Sequence, residues 1–290
     1  MADGIHVAAA LGWLTDPWSQ PIMVRAFVEV ALLGVVGGAL GCWIVFYELS
    51  YGAESLAHSI FPGLVIAALL GLPLLLGGAL GVLVAAVAVF LAGRIEKIGR
   101  DTAVAVVVTS LFALGVLLAL SPDSPPGISG LLFGDILGVT DSDLAMAAVL
   151  AIVVLVTLRL LHGRLLAVGF DRSSAKGLGI SATIVDLVLL MLLALAILVA
   201  VQGLGNLLVV AVLVGPSATA RLLTNRISSM MAVAVAVAVA SGIGGLYLSY
   251  YAKIATGASI AGVMVAVYLL VALISGLRNR SAMTPNSATT

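Results

Sequence analysis

Residues 21–46 read PIMVRAFVEVALLGVVGGALGCWIVF, and Arg25 and Glu29 are the only charges in the stretch. A helix rising about 1.5 Å per residue crosses a hydrocarbon layer of about 30 Å in some 20 residues, so this run is long enough to span a membrane. Beyond it, further apolar runs cover about 56–72, 74–93, 102–120, 144–161, 182–201, 206–223, 229–251 and 258–276. Nine such runs leave little chain for a water-soluble domain. Composition agrees: 62% of the 290 residues are apolar and 9% are charged, against about 45–50% and 25% in soluble domains. So few charges cannot cover a soluble surface, which excludes a globular enzyme, a secreted disulfide domain and a disordered chain. Net charge is zero and no basic stripe occurs, so no nucleic-acid partner is expected. The lone Cys42 rules out an internal disulfide and a CxxC metal knuckle. The predicted fold is all-α, a single transmembrane domain over 1–290 built as a polytopic helix bundle of about nine spans. Ala232–Ala240 alternates Val with Ala, but both are apolar and the alternation separates no faces, so it reads as helix. Barrel strands would alternate apolar with polar.

Basic residues orient the bundle, because loops rich in Lys and Arg stay in the cytoplasm. Arg94, Lys97 and Arg100 share one loop, and Arg159, Arg164, Arg172 and Lys176 lie in or beside a second. Arg221 and Arg226 form a third group, and Arg278 and Arg280 follow the last run. With nine spans these 11 of the 13 basic residues fall on one side. Asp3, Asp16, Asp123, Asp135, Asp141 and Asp143 fall on the other, with Arg25 and Lys253. Residues 1–20 are then a short outside amino terminus and the carboxyl terminus is inside. No basic residue precedes Arg25, so a cleaved signal peptide is not expected. His6 is read as uninvolved, and the polar tail 281–290 as disordered.

Glu54-Ser-Leu-Ala-His58-Ser-Ile-Phe-Pro62-Gly63 carries the chemistry. A carboxylate and an imidazole four residues apart share one helix face, and burying them in an apolar run is costly unless they meet a partner or a wet cavity. Pro62-Gly63 is read as a helix break, and freed backbone groups at membrane depth line transport paths. On spacing alone a second reading stands beside this one: Glu54 in a first helical turn, favoured by the dipole, with His58 bonded to a neighbouring helix. The segment 163–181 has a solvated basic loop and a short amphipathic helix started by Asp171 as its readings. Gly34, Gly37, Gly38 and Gly41 overlay two small-xxx-small patterns, and Gly77 with Gly81 repeats the spacing, which predicts close helix packing. Gly215-Pro216 predicts a kink in the run 206–223. Asp186 lies near the cytoplasmic end of its run, suited to capping or snorkelling. No GxxxxGK[ST] occurs, so ATP-driven work needs a separate subunit.

Several stretches together resemble the integral-membrane permease of bacterial zinc/manganese-uptake ABC transporters. They are Asp16-Pro17 through Arg25-Ala26, Glu54 to Gly63 (similar to G-D-A-L-S-H-A-V-L-P-G), Asp101-Thr102 with Ala113-Leu-Gly115, and Leu132-Phe-Gly-Asp135-Ile-Leu-Gly138. Phe170-Asp171 with Ala175 and Gly179, Leu213-Val-Gly-Pro216-Ser-Ala-Thr-Ala-Arg221, and Leu248-Ser-Tyr-Tyr251 with Thr256-Gly-Ala258 complete the ordered set. The resemblance implies a homodimer in the bacterial plasma membrane, two cytoplasmic ATPase subunits, and an extracytoplasmic metal-binding protein that delivers the ion. It makes 163–181 the ATPase-coupling segment, through Phe170, Asp171, Ala175 and Gly179. It makes Glu54 and His58 the metal contact, with Pro62, Gly63, Gly215 and Pro216 as helix-break or gating positions. Zn2+ or Mn2+ would be cargo, with no permanently bound cofactor and no catalysis by this chain. Two positions depart from the family pattern: Glu54 stands where Asp is usual, and Glu48-Leu49 replaces a common basic pair. The competing classes are a proton-coupled secondary transporter using Glu54, His58 and Asp186, and a membrane scaffold without a transport path.

Overall fold

The computed structural model describes residues 15–92, 100–122, 124, 127–128 and 130–282. The expectations for His6, Asp3, Arg94, Lys97, Asp123 and the tail from 283 onward fall outside the described residues, as do the side chains of Arg100, Asp101 and Arg280.

Every regular element among the described residues is helical. The order is α1 (Pro21–Phe46), α2 (Ser50–Leu69), α3 (Leu74–Ala92), α4 (Arg100–Ala119), α5 (Asp141–Phe170), α6 (Arg172–Gly177), α7 (Ala182–Leu204), α8 (Val209–Leu223), α9 (Ile227–Ala252) and α10 (Thr256–Ala282). Each of the nine apolar runs falls on one of the long helices. Six of these (α1, α2, α5, α7, α9 and α10) have the length and apolarity to cross a membrane, and α3, α4 and α8 carry shorter apolar helices. One-turn helices Asp16–Ser19, Gly130–Phe133 and Ile136–Gly138 occupy the connections.

The glycines of α1 explain how the bundle closes. A Cβ on Gly38 would lie 2.6 Å from the Val235 nitrogen, and one on Gly34 3.2 Å from Val239 Cγ2, so this pair faces α9. A Cβ on Gly37 would come 2.9 Å from the Val212 oxygen, and one on Gly41 would overlap the Leu213 carbonyl, so the second pair faces α8. The two overlaid patterns thus serve two partners, and α1 sits at the centre with α5 on a further side. In lipid, where apolar burial supplies no net drive between helices, such backbone approach is the cohesive contact. Gly63 does the same for α2, where a Cβ would meet the Gly77 carbonyl of α3. Trp18 stacks on Phe27 at 4.2 Å and donates to the Tyr247 hydroxyl at 2.7 Å, fastening the Asp16–Ser19 turn to the far end of α9.

Outer helices invert a soluble protein's pattern. In α10 only 11% of the most apolar window is buried, and Leu117 of α4 and Leu160 of α5 stand exposed. Exposed apolar surface on this scale needs lipid or another protein chain to cover it.

Two sequence expectations change. Pro62-Gly63, read as a helix break, does not end α2, which runs through it; α8 likewise runs through Gly215-Pro216, where the expectation is a kink within one helix. A proline interior to a helix removes one N–H and one hydrogen bond, and neighbouring helices hold the rest in line. Residues 163–170 are not loop either. They are the last turns of α5, because the apolar residues at Leu165, Leu166 and Val168 keep their helical spacing against the core.

Candidate functional site

Glu54, His58 and Pro62 follow one another at four-residue steps along α2 and so share a face. The Glu54 carboxylate stands 3.9 Å from His58 Nε2, with side-chain exposures of 56% and 23%. That separation exceeds hydrogen-bond range, so space remains between the two groups. Pro62 has no N–H to give the His58 carbonyl. The imidazole lies on the ring of Phe112 from α4, centroids 4.4 Å apart. On its other nitrogen, the Asn206 Nδ2 amide donates to Nδ1 over 3.4 Å. Asn206 comes from the α7–α8 junction and is fully buried. Sequence reading missed it. It sits in a short turn 148 residues away, with no spacing signal linking it to α2.

The same junction touches a second carboxylate. Glu29 of α1 is 2% exposed and its Oε2 has no hydrogen-bond partner. A Cβ built on Gly203 would stand 3.7 Å from Glu29 Oε1, so the end of α7 lies against it. The segment resembling the family at Leu132–Gly138 clasps this junction. The Asn206 N–H donates to the Leu131 carbonyl at 2.8 Å, Leu207 to Leu132 at 3.2 Å, and Asp135 to Gln202 at 3.4 Å. Gly205, at φ 76° and ψ 156°, holds a backbone region open to glycine alone and ends α7 there.

Glu54 and His58 are thus the carboxylate and imidazole that α2 brings together. No group of three or more His, Cys, Asp or Glu suited to a metal occurs among the described residues. The cleft of about 620 Å³ between α5 and α9 carries Arg159 and His162 but no carboxylate in its lining, and does not suit a cation.

Phe170, Asp171, Ala175 and Gly179 gather at the α5–α6 junction, with Phe170 beside the α1–α2 turn. Phe170 ends α5 with 77% exposure, edge-on to Phe46 at 5.4 Å. With Tyr47, Glu48, Gly169 and Arg172 they border a hollow of about 290 Å³. Asp171 caps α6, accepting from the Ser173 N–H at 2.9 Å and its hydroxyl at 2.7 Å, and from the Ser174 hydroxyl. Those donors, Ser174 first, hold its carboxyl down to about 2. Ala175 is buried, and Gly179, at φ 75°, turns the chain out of α6. Arg172 donates to both oxygens of Asp186 at 2.7 and 3.2 Å. Asp186 is thus committed to Arg172, and the structure does not bring it to Glu54 and His58.

Comparison with known proteins bears on these features together. The family described as "ABC 3 transport family" matches residues 19–275. The manganese transport system membrane protein MntC of Listeria monocytogenes is 32% identical over 256 residues, which cover 87% of this chain and 91% of that protein. The chelated iron transport system membrane protein YfeC of Yersinia pestis is 32% identical over 256 residues, covering 88% and 87%. Among solved structures, "PsaBC from Streptococcus pneumoniae in complex with Fab" superposes with a TM-score of 0.84 at 27% identity, over 90% of this chain and 95% of that one.

Proposed function

Because this chain belongs to the ABC 3 transport family, we propose that it is the membrane-embedded permease of an importer for a divalent transition-metal ion. The observation that carries the reading is the Glu54–His58 pair, a partly exposed carboxylate and imidazole 3.9 Å apart in a helix with no other Asp, Glu, His, Lys or Arg. Such a pair is costly there without a polar task. Imidazole with carboxylate suits manganese or zinc, and the absence of thiolates argues against copper(I). Relatives named for manganese support manganese as the first choice of cargo, and the one named for chelated iron supports iron, beside zinc, as an alternative. Divalent affinity follows the Irving–Williams order whatever the cell needs, so selection falls chiefly to an extracytoplasmic metal-binding protein that hands over the ion. Two protein ligands with water release an ion readily, whereas a structural zinc site uses about four.

Energy comes from outside the chain, which has no phosphate-binding loop of its own. Two ATPase subunits engage a homodimer of this permease from the cytoplasm through 163–181, with exposed Phe170 beside the hollow at Tyr47 and Arg172 as the anchor. The chain crosses the bacterial plasma membrane nine times in this reading, with the carboxyl terminus inside.

His58→Ala and Glu54→Ala are each expected to abolish most manganese uptake while expression, dimerisation and ATPase binding persist. Uptake of radiolabelled manganese and zinc by assembled variants measures this. Wild-type rates in both would remove the pair from the mechanism. Neutral imidazole is the ligating form, so uptake should also fall where acidification protonates His58.

A further inference from the structure

We propose that Asn206 is a positioning residue for His58, whose side-chain amide turns over as the ion arrives so that His58 Nε2 is freed to bind it. The inference rests on the metal-path reading of Glu54 and His58 and assigns a role to a residue outside that pair.

Asn206 is held from two directions before its side chain does anything. Its N–H donates to Leu131 at 2.8 Å, and Gly205 before it takes a conformation restricted to glycine. The residue is fully buried, its Nδ2 lies 3.4 Å from His58 Nδ1, and its Oδ1 has no hydrogen-bond partner. A buried polar atom left without a partner is rare and calls for an explanation. The amide is nearly symmetric in shape, and half a turn about its last bond exchanges donor for acceptor.

The two settings of the amide match the two neutral tautomers of His58. With Nδ2 donating to Nδ1, the ring proton sits on Nε2 and faces the Glu54 carboxylate 3.9 Å away. That is the arrangement without an ion. A metal ion beside Glu54 needs the Nε2 lone pair, so the proton must be on Nδ1. The unpaired Oδ1 supplies the acceptor that this second tautomer requires, as outer partners of metal-bound histidines do. The imidazole stays neutral throughout: one proton leaves Nε2, one arrives on Nδ1 through water, and none is gained or lost overall. Asn206 cannot itself ligate an ion held between Glu54 and Nε2, because it occupies the opposite edge of the ring. A hydrocarbon of the same shape would support neither tautomer, and an aspartate would support only the ion-bound one.

Ring-nitrogen NMR of isotope-labelled histidine, on the intact permease in lipid nanodiscs, tests this directly. The chain has three histidines, so His6→Gln and His162→Gln variants identify the His58 signals. Without metal the proton should be on Nε2. With zinc, chosen because it is diamagnetic, it should be on Nδ1, with Nε2 bound to metal. Asn206→Leu should weaken zinc binding about 10–100-fold, and Asn206→Asp should restore it. A residue that only fills space predicts the reverse order, since leucine packs and a buried carboxylate does not. Nε2 bound to zinc without a proton on Nδ1, or wild-type zinc affinity in Asn206→Leu, overturns the role of Asn206 alone. His58 signals indifferent to zinc, together with unchanged zinc binding in His58→Ala, overturn the metal-path reading and this inference with it.

Discussion

Glu48 illustrates how one residue can depart from a family pattern and still be read physically. It follows α1 at φ 59°, in the left-handed region, with its N–H donating to Val45 at 3.2 Å and that of Leu49 to Ile44 at 2.8 Å. Those two bonds form the helix-ending motif that normally has glycine in this position. A side chain there costs about 1–2 kcal/mol, so Glu48→Gly is expected to stabilise the protein by roughly 1 kcal/mol, read as a higher midpoint of thermal unfolding in detergent. An unchanged or lower midpoint would show that the glutamate makes a compensating contact. The residue scale also separates what spacing reveals from what it hides. Glu54 and His58 were legible because a four-residue step puts side chains on one helix face whatever surrounds them. Asn206 was not, because its contact with His58 exists only after α7 and α8 have packed beside α2.

At the scale of elements, α5 and α6 have the clearest consequence. α5 runs 30 residues to Phe170, longer than the roughly 20 a bilayer requires, so its last turns reach beyond the apolar run at 144–161. Phe170 is thereby presented on a rigid helix end. Phe170→Ala should weaken co-purification of the ATPase while leaving membrane insertion intact, since exposed aromatic anchors dominate interfaces. Undiminished ATPase recovery would exclude this helix end as the docking element. Asp171 adds a pH dependence of known sign. Its carboxyl is held near 2, below the ordinary carboxylate value, by the Ser174 and Ser173 donors. The capping contribution is therefore complete above about 4 and is lost as pH falls through about 2. Amide exchange in α6 should stay slow from neutral pH down to about 4, and Asp171→Ala should speed it at neutral pH. Equal exchange in both proteins would mean the cap does not hold α6.

The whole molecule is organised by two asymmetries, one of charge and one of side-chain size. In the proposed nine-span arrangement 11 of the 13 basic residues group on one side, so a reporter fused after Arg280 should be active only in the cytoplasm. Activity of a reporter that works only outside the cytoplasm would invert that topology. The sequence by itself determined that the chain is a membrane-embedded helix bundle, because hydrocarbon admits no unpaired backbone groups and the length of each apolar run states its own role. It also carried the glycine spacing of α1 and the carboxylate–imidazole step of α2, both properties of a single helix. Only the tertiary structure decided that Gly34 and Gly38 face α9 while Gly37 and Gly41 face α8. It alone joined Asp186 to Arg172 and left Glu29 buried against the end of α7. Helix propensity and hydropathy are local sums along the chain. Which faces meet depends on how small residues let distant backbones approach, and no stretch of sequence encodes that alone.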